Sequence, residues 1–200
     1  MRIGFIGGGV MGEAMIRGIL AKGVARPEEI IACDTSAIRR GALLRDYGVQ
    51  VTEDHSMAIK GAEVIILAVK PQNLVEVMEE MSGHLESGQL VLSIVAGKSI
   101  ATLTRGLRYN DIVRAMPNTP AQIGEGMSVW TAPPEVTQNQ REMAKSILSA
   151  MGEEVYVSDE RYIDMATAVS GSGPAYVFLF IESLIDAAVH IGLHRDMAEK

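Results

Sequence analysis

Ile3-Gly-Phe-Ile-Gly-Gly-Gly-Val-Met-Gly12, followed by Glu13-Ala-Met-Ile-Arg-Gly-Ile-Leu20, is the stretch that decides the fold. The apolar run before Gly7 is typical of a buried strand, and the apolar residues after Glu13 recur at helical spacing. In this strand–turn–helix order, Gly7 permits the turn, Gly9 admits a pyrophosphate close to the backbone, and Gly12 lets the helix lie close to the strand. Free N–H groups at the helix start favour phosphate. The stretch predicts a dinucleotide site, with a bare tight turn as the alternative.

The composition narrows the class of protein. The 200 residues, with 48% hydrophobic and 22% charged, suffice for one domain or for one domain and part of a second. A net charge of −7 without a basic stripe argues against nucleic acid. The most apolar run, residues 175–191, contains Glu182, Asp186 and His190, which would be costly in lipid, so we expect no membrane partner. With one cysteine, Cys33, and scattered histidines we expect no disulfide and no metal site. These features indicate a soluble cytoplasmic protein.

The second predicted strand, Ile30–Cys33, ends at a mixed set of cofactor signals. Asp34 lies about twenty residues beyond the glycine turn, where a carboxylate accepts hydrogen bonds from the adenosine ribose of NAD. Thr35, Ser36, Arg39 and Arg40 follow, and hydroxyls with guanidinium groups suit the 2′-phosphate of NADP. A solvated helix face is the alternative for the two arginines. The cofactor is predicted as NADP(H), with NAD(H) as the alternative.

Three later segments extend the predicted site. Ligands bind outside the carboxyl ends of parallel strands, so Val69-Lys-Pro71 and Ala96-Gly97, each after a buried strand, should border the cofactor, although Lys70 also suits an ordinary solvated loop. Met116-Pro-Asn-Thr-Pro120 is a stiff loop that predicts a positioning device or a plain two-proline turn.

Strands, helices and short loops alternate throughout, which predicts an α/β fold.

The character of the chain changes after Asp159. Tyr162–Val169 is predicted as a helix, Ser170-Gly-Ser-Gly-Pro174 as an interruption, and residues 175–191 as a second helix whose free N–H groups would suit a carboxylate, unless this is a plain helix start. That second helix is apolar almost all round, so we expect a partner subunit or further chain to cover it.

Four blocks of sequence resemble those of pyrroline-5-carboxylate reductase. They are Gly4–Gly12, Ala68-Val-Lys-Pro71, Val113-Arg-Ala-Met-Pro-Asn-Thr-Pro120 and Val169-Ser-Gly-Ser-Gly-Pro-Ala-Tyr176. The resemblance implies reduction of the C=N bond of 1-pyrroline-5-carboxylate to L-proline by NADPH or NADH, the last step of proline biosynthesis. It also implies an N-terminal Rossmann dinucleotide-binding domain, residues 1–159, followed by the start of an all-α dimerisation domain, residues 160–200, and therefore a homodimer or larger assembly.

The resemblance also assigns roles to individual positions. On the cofactor it places Ile6, Gly7, Gly8, Gly9, Val10, Met11, Asp34, Ser36, His55, Val69, Lys70, Ala96 and Gly97. The residue types alone add Gly12, Arg39 and Pro71 to this predicted set. Where His55 stands, the family often has an asparagine near the 2′-phosphate, and with Asp34 this weakens the preference for NADP. As candidates for the substrate site we take Ser172, Gly173 and Pro174, with Asn118 and Thr119 from the two-proline loop and Glu160 near the ring nitrogen.

Two further expectations bear on activity. The family continues for some seventy residues with a substrate-contacting Ser-Pro-Gly-Gly-Thr-Thr type loop, so we expect the chain as given to bind cofactor and to lack much of its substrate site. The competing functions are a β-hydroxyacid dehydrogenase of the 3-hydroxyisobutyrate type, which opens with a similar glycine turn, and a non-catalytic NAD(P)-binding module.

Overall fold

A computed structural model describes all residues, Met1–Lys200. One eight-stranded sheet organises the chain, with strand order β3-β2-β1-β4-β5-β6-β7-β8. The strands are β1 (Ile3–Ile6), β2 (Ile30–Cys33), β3 (Gln50–Thr52), β4 (Val64–Leu67), β5 (Leu90–Ser93), β6 (Ile112–Met116), β7 (Gly126–Thr131) and β8 (Gly152–Tyr156). Neighbours pair in parallel except β6 with β7. The predicted α/β fold is confirmed.

Helices cover the sheet and continue beyond it. They are α1 (Val10–Ala21), α2 (Ala37–Tyr47), α3 (His55–Ile59), α4 (Leu74–Met81), α5 (Ile100–Leu107), α6 (Gln138–Ser149), α7 (Arg161–Ala166), α8 (Gly173–His190) and α9 (Arg195–Ala198). Short 3-10 turns occupy Pro27–Glu29, Pro71–Asn73 and Thr119–Ile123. The first six helices alternate with the strands, as crossover connections of a parallel sheet require.

Two apolar cores lie on the two faces of the sheet. The larger one packs α1, α2 and α6 around residues such as Phe5, Ile16 and Leu148. The smaller one packs α3, α4 and α5 around residues such as Ile65, Met78 and Leu103. The central strands β1, β4 and β5 are buried at every residue, which explains their unbroken apolar sequences.

Local signals set most of the element ends. Ser36 caps α2 by accepting a hydrogen bond from the Arg39 N–H, and Gly48 ends the same helix in the left-handed conformation. The helix α6 begins at Gln138, because Thr137 and Gln140 form a capping box there.

The prediction of a break at Ser170–Pro174 is wrong. Thr167–Gly171 forms a π-helical turn that joins α7 to α8, so residues 161–190 run as one continuous helix. The Ser172 N–H donates to the Thr167 carbonyl within this turn. A π-turn absorbs one extra residue without ending a helix, and Pro174 is tolerated in the first turn of α8.

The last part of the chain lies on the outside. Of 54 buried residues, Ile163 is the only one after Met151. None of the α8 residues is buried; Phe178 and Phe180 remain 66% and 65% exposed. Residues 161–190 are apolar and long enough to cross a membrane by length and composition alone.

Candidate functional site

The glycine turn between β1 and α1 has the geometry that its sequence predicts. Gly7 has a φ of +104°, and a Cβ atom there would lie 2.6 Å from the Ala68 carbonyl oxygen. At Gly12 a Cβ atom would lie 2.5 Å from the Gly7 oxygen, so the helix approaches the strand as closely as glycine allows. Both positions therefore require glycine, one for its conformation and one for its size.

The space in front of α1 suits a pyrophosphate. Gly9 is the N-cap of α1 and accepts the Glu13 N–H, and a Cβ atom at Gly9 would meet nothing within 4 Å. The first N–H groups of α1, which have no acceptor within the helix, begin beside this open space. Together with the helix dipole they form a site for an anion.

The end of β2 carries the residues predicted for the adenosine ribose. The two carboxylate oxygens of Asp34 accept the N–H groups of Gly8 and Ser36, each at 2.8 Å. The Arg39 guanidinium donates to the Gly8 carbonyl and to Glu13, whereas Arg40 donates to the carbonyls of Asp34 and Thr35. Asp34 and Arg39 thus both form hydrogen bonds with Gly8 of the glycine turn.

His55 lies near this end of the sheet, as the first residue of α3. Its Nδ1 atom is 2.5 Å from Oε2 of Glu80, and its side chain is mostly buried. The Asp34 N–H donates to the Thr52 carbonyl of β3, which brings the segment before His55 next to the end of β2. His55 and Ser36 therefore lie on the same edge of the sheet.

A groove of about 290 Å³ continues from α1 across the carboxyl ends of β4, β5 and β6. Its lining combines residues from four of the segments singled out in the sequence, together with Ile94. The lining residues are Met11, Ala68, Val69, Lys70, Pro71, Ile94, Ala96, Met116 and Pro117. Gly97, which follows Ala96 beyond the carboxyl end of β5, has a φ of +67°. Parallel strands bring their carboxyl ends to one edge, so segments far apart in sequence meet here.

Asn118 connects the two-proline loop to the helical segment. Its side-chain oxygen accepts the Met127 N–H at 2.8 Å, and its side-chain nitrogen donates to the Ser170 carbonyl at 3.0 Å. Thr119 begins the 3-10 turn that follows. The loop that borders the groove is therefore tied directly to the π-turn.

The π-turn lacks the row of free N–H groups that we expected at a new helix start. The N–H groups of Ser172, Ala175 and Tyr176 donate to backbone carbonyls, and Pro174 has none. The Ser172 hydroxyl donates to the Thr167 carbonyl at 2.9 Å. The idea of several helix-start N–H groups holding a carboxylate is wrong, because the helix does not start here.

Glu160 lies elsewhere, on a larger groove of about 990 Å³ that includes Trp130 and Arg141. Its carboxylate accepts the Ile100 N–H and the Arg114 guanidinium, both at 2.8 Å. These contacts favour a structural role for Glu160 over one near the substrate.

Arg114 is the important residue that the sequence analysis did not single out. It is 3% exposed in β6, and it binds both Glu160 and, at 2.6 Å, Asp164 of α7. A buried guanidinium is stable only when paired. Its signal was present, since an arginine inside the apolar strand Ile112-Val-Arg-Ala115 demands acidic partners.

Two pKa shifts describe the electrostatics around the glycine turn. The hydrogen bond from Arg39 lowers the pKa of Glu13, so this carboxylate stays ionised next to α1. Burial raises the pKa of the Cys33 thiol to about 11, which makes the thiol inert at neutral pH. No group of three or more His, Cys, Asp or Glu side chains is placed to hold a metal ion.

Two segments of the chain match known protein families. Residues 2–97 match the family described as "NADP oxidoreductase coenzyme F420-dependent", and residues 160–200 match the family described as "Pyrroline-5-carboxylate reductase dimerisation". The pyrroline-5-carboxylate reductase of Synechocystis sp. is 44% identical over 200 residues, covering 100% of this chain and 74% of that protein.

Solved structures agree in fold over nearly the whole chain. A pyrroline-5-carboxylate reductase from Coxiella burnetii superposes with a TM-score of 0.89 at 37% identity, over 99% of this chain and 74% of that one. Pyrroline carboxylate reductase from Plasmodium falciparum, solved with NADP bound, gives a TM-score of 0.87 at 32% identity, over 100% and 73%.

Proposed function

The chain belongs to the pyrroline-5-carboxylate reductase family, and from this premise we propose which of its residues carry the reaction. The function is reduction of the C=N bond of 1-pyrroline-5-carboxylate to L-proline, the last step of proline biosynthesis. The observation that carries the proposal is the groove in which Met11, Val69–Pro71, Ala96 and Met116–Pro117 meet beside the glycine turn. The β-hydroxyacid dehydrogenase alternative is not favoured by the relatives.

NADPH, when bound, supplies the hydride. We propose that residues 6–12 hold its pyrophosphate, that Ser36 and His55 flank its adenosine ribose, and that Val69–Pro71 and Ala96–Gly97 border its path toward the nicotinamide. The fit rests on the open space at Gly9 and on the N–H groups at the start of α1. NADH remains the alternative cofactor.

The two-proline loop and the π-turn are proposed to orient the substrate. A hydride acceptor must be electron-poor, so the ring nitrogen should be protonated when the reaction occurs. A neutral surrounding serves this better than a strong base, and none of Asn118, Thr119 and Ser172–Pro174 carries an ionisable side chain. Asn118 would hold the π-turn against the loop, which fixes the distance between substrate and cofactor.

Residues 1–159 are proposed as the cofactor domain and residues 160–200 as part of a dimerisation domain. The apolar surface of α8, unburied along its length, supports self-association as a homodimer or larger assembly. A dimer interface also explains why residues 161–190 are so apolar, since Glu182, Asp186 and His190 would be costly in a bilayer. We propose a soluble cytoplasmic enzyme.

The test is NADPH oxidation in the presence of 1-pyrroline-5-carboxylate, with NADPH binding measured separately by fluorescence. We expect this chain to bind NADPH, and we expect turnover from a form extended by the remaining quarter of the length of its relatives. In the extended form, turnover should fall at least tenfold in Asn118→Ala while the NADPH dissociation constant stays within a factor of two. Asn139→Ala, an exposed position on α6, is the matched control and should behave as the parent.

Binding without turnover in both this chain and the extended form would favour the non-catalytic NAD(P)-binding module. Equal turnover in Asn118→Ala and the parent would remove Asn118 from the proposal.

A further inference from the structure

Side chains hold both backbone polar groups of Gly8, at the centre of the glycine turn. The Gly8 N–H donates to Asp34 at 2.8 Å. The Gly8 carbonyl accepts two N–H groups of Arg39, from Nε at 2.9 Å and from Nη2 at 2.6 Å. Glycine has wide conformational freedom, so these three bonds restrict a segment that would otherwise sample many shapes.

Arg39 is itself held in place by α1. Its Nη2 also donates to Oε2 of Glu13 at 2.6 Å, and the other oxygen of Glu13 accepts the Tyr47 hydroxyl at 2.9 Å. The Glu13 carboxylate and Arg39 are each only about a quarter to a third exposed, at 25% and 32%. The guanidinium therefore links the glycine turn, the first turn of α1 and the helix α2.

The acceptors of Arg39 argue against a role in binding the 2′-phosphate. Nε and Nη2 are both directed at Gly8 and Glu13, and the nearby carboxylate balances the charge of the guanidinium. Nη1 is the one guanidinium nitrogen without an acceptor. A two-pronged contact of Arg39 with a 2′-phosphate would therefore break bonds to Gly8 or Glu13, at the loss of charge-assisted hydrogen bonds.

We propose that Arg39 is a positioning residue that, with Asp34 and Glu13, clamps the glycine turn in the shape that accepts a pyrophosphate. It contributes to the binding of NADPH and NADH alike and does not discriminate between them. Both cofactors carry the same pyrophosphate, so a clamp on the turn acts equally on both. The inference rests on the proposed function only in assuming that the ligand of the glycine turn is NADPH or NADH.

The experiment measures dissociation constants for NADPH and NADH by fluorescence in Arg39→Gln, Glu13→Gln and the double variant. Arg39→Gln should weaken both cofactors by a similar factor, about tenfold, and leave their ratio unchanged. Glu13→Gln should weaken both by a smaller factor, and it should add little to Arg39→Gln because the two residues act together.

Arg45→Gln is the matched control, since Arg45 lies on the same helix and contacts only Asp46. Its dissociation constants should equal those of the parent chain. A loss of NADPH affinity in Arg39→Gln with unchanged NADH affinity would overturn the proposal. Tighter NADPH binding in Glu13→Gln would overturn it too, because that result means the carboxylate competes with the 2′-phosphate for Arg39.

Arg39→Lys keeps the test decisive if Arg39→Gln does not fold. An ammonium binds phosphate well and cannot reproduce the fork of bonds to Gly8 and Glu13. The clamp predicts that Arg39→Lys weakens both cofactors, whereas retention of parental NADPH affinity would contradict it. Cofactor binding alone decides this question. The proposed function is refuted separately, if the extended form binds NADPH and still fails to reduce 1-pyrroline-5-carboxylate.

Discussion

Residues 1–159 bury their apolar side chains, whereas residues 160–200 leave theirs exposed. The first region buries its apolar side chains in two cores on the faces of one sheet. The second has Ile163 as its one buried residue and displays aromatic and aliphatic side chains along α8. The first region can be stable from its own contacts, whereas the second needs a covering surface.

Few polar contacts join the two regions. Arg114 of β6 binds Glu160 and Asp164, and Asn118 of the two-proline loop binds the Ser170 carbonyl. The Ile100 N–H also donates to Glu160, on the larger groove. Asn118 follows Met116 and Pro117 of the cofactor groove, so one of these contacts fixes the helical segment next to that groove.

The largest expected effect comes from the same substitution made once in each region. Leu92→Ala, in the fully buried β5, should lower the free energy of unfolding by about 3 kcal/mol through the cavity it leaves. Leu184→Ala, 55% exposed on α8, should change it by less than about 0.5 kcal/mol at low protein concentration.

Denaturant unfolding at low and high protein concentration checks this pair, with analytical ultracentrifugation for self-association. Leu184→Ala should weaken self-association, whereas Leu92→Ala should lower the free energy of unfolding at every protein concentration. Equal loss of stability in the two variants under dilute conditions would mean that α8 is covered within a single chain, and would break the comparison.

The next effect concerns the link between the regions. Arg114→Met removes a buried guanidinium and leaves Glu160 and Asp164 without their partner, which should cost about 1–3 kcal/mol. Hydrogen exchange should then accelerate in residues 160–172 and stay unchanged in β1, β4 and β5. Arg161→Gln is the control, because the Arg161 side chain is 83% exposed and pairs only with Asp159. Uniform acceleration of hydrogen exchange over the whole chain would show that Arg114 stabilises the sheet rather than the contact between the two regions.

The smallest effect is a pH dependence inside the first region. Burial raises the Cys33 pKa from 9.0 to about 11, so the folded state favours the neutral thiol. The linked stability is complete below pH 9 and is lost as the pH rises from 9 to 11, by about 1.4 kcal/mol at pH 10. Cys33→Ala should show a shallower alkaline decline in unfolding experiments. A native Cys33 that reacts with a thiol reagent at pH 8 as fast as the unfolded chain would contradict the burial.

The sequence predicted the first region well because its signals are local. Glycines with a required conformation, caps such as Ser36 and unbroken apolar runs act within a few residues, and the strand Ile30–Cys33 has the predicted bounds. The strand β8 carries no such signal, because pairing with β7 makes a strand of polar residues that have no strand pattern of their own.

Contacts between distant residues explain what the sequence did not predict. The glycines and proline of residues 170–174 indicate a break, but Asn118 and the Thr167 carbonyl hold the segment as a π-turn. Asp34 and Arg39 have the residue types of ribose and phosphate ligands, and only their contacts with Gly8 reveal the clamp. The chemistry of these side chains was predictable, whereas their choice of partner depends on the assembled sheet.

The chain order of the sheet also bears on how the protein is made. All eight strands come from the first 156 residues, and the exposed helix α8 is synthesised after them. Domains fold from the N-terminal side during synthesis at about 5–20 residues per second, so the ribosome releases α8 a few seconds after the last strand. The nascent chain can thus complete its cofactor domain before its most aggregation-prone surface leaves the ribosome.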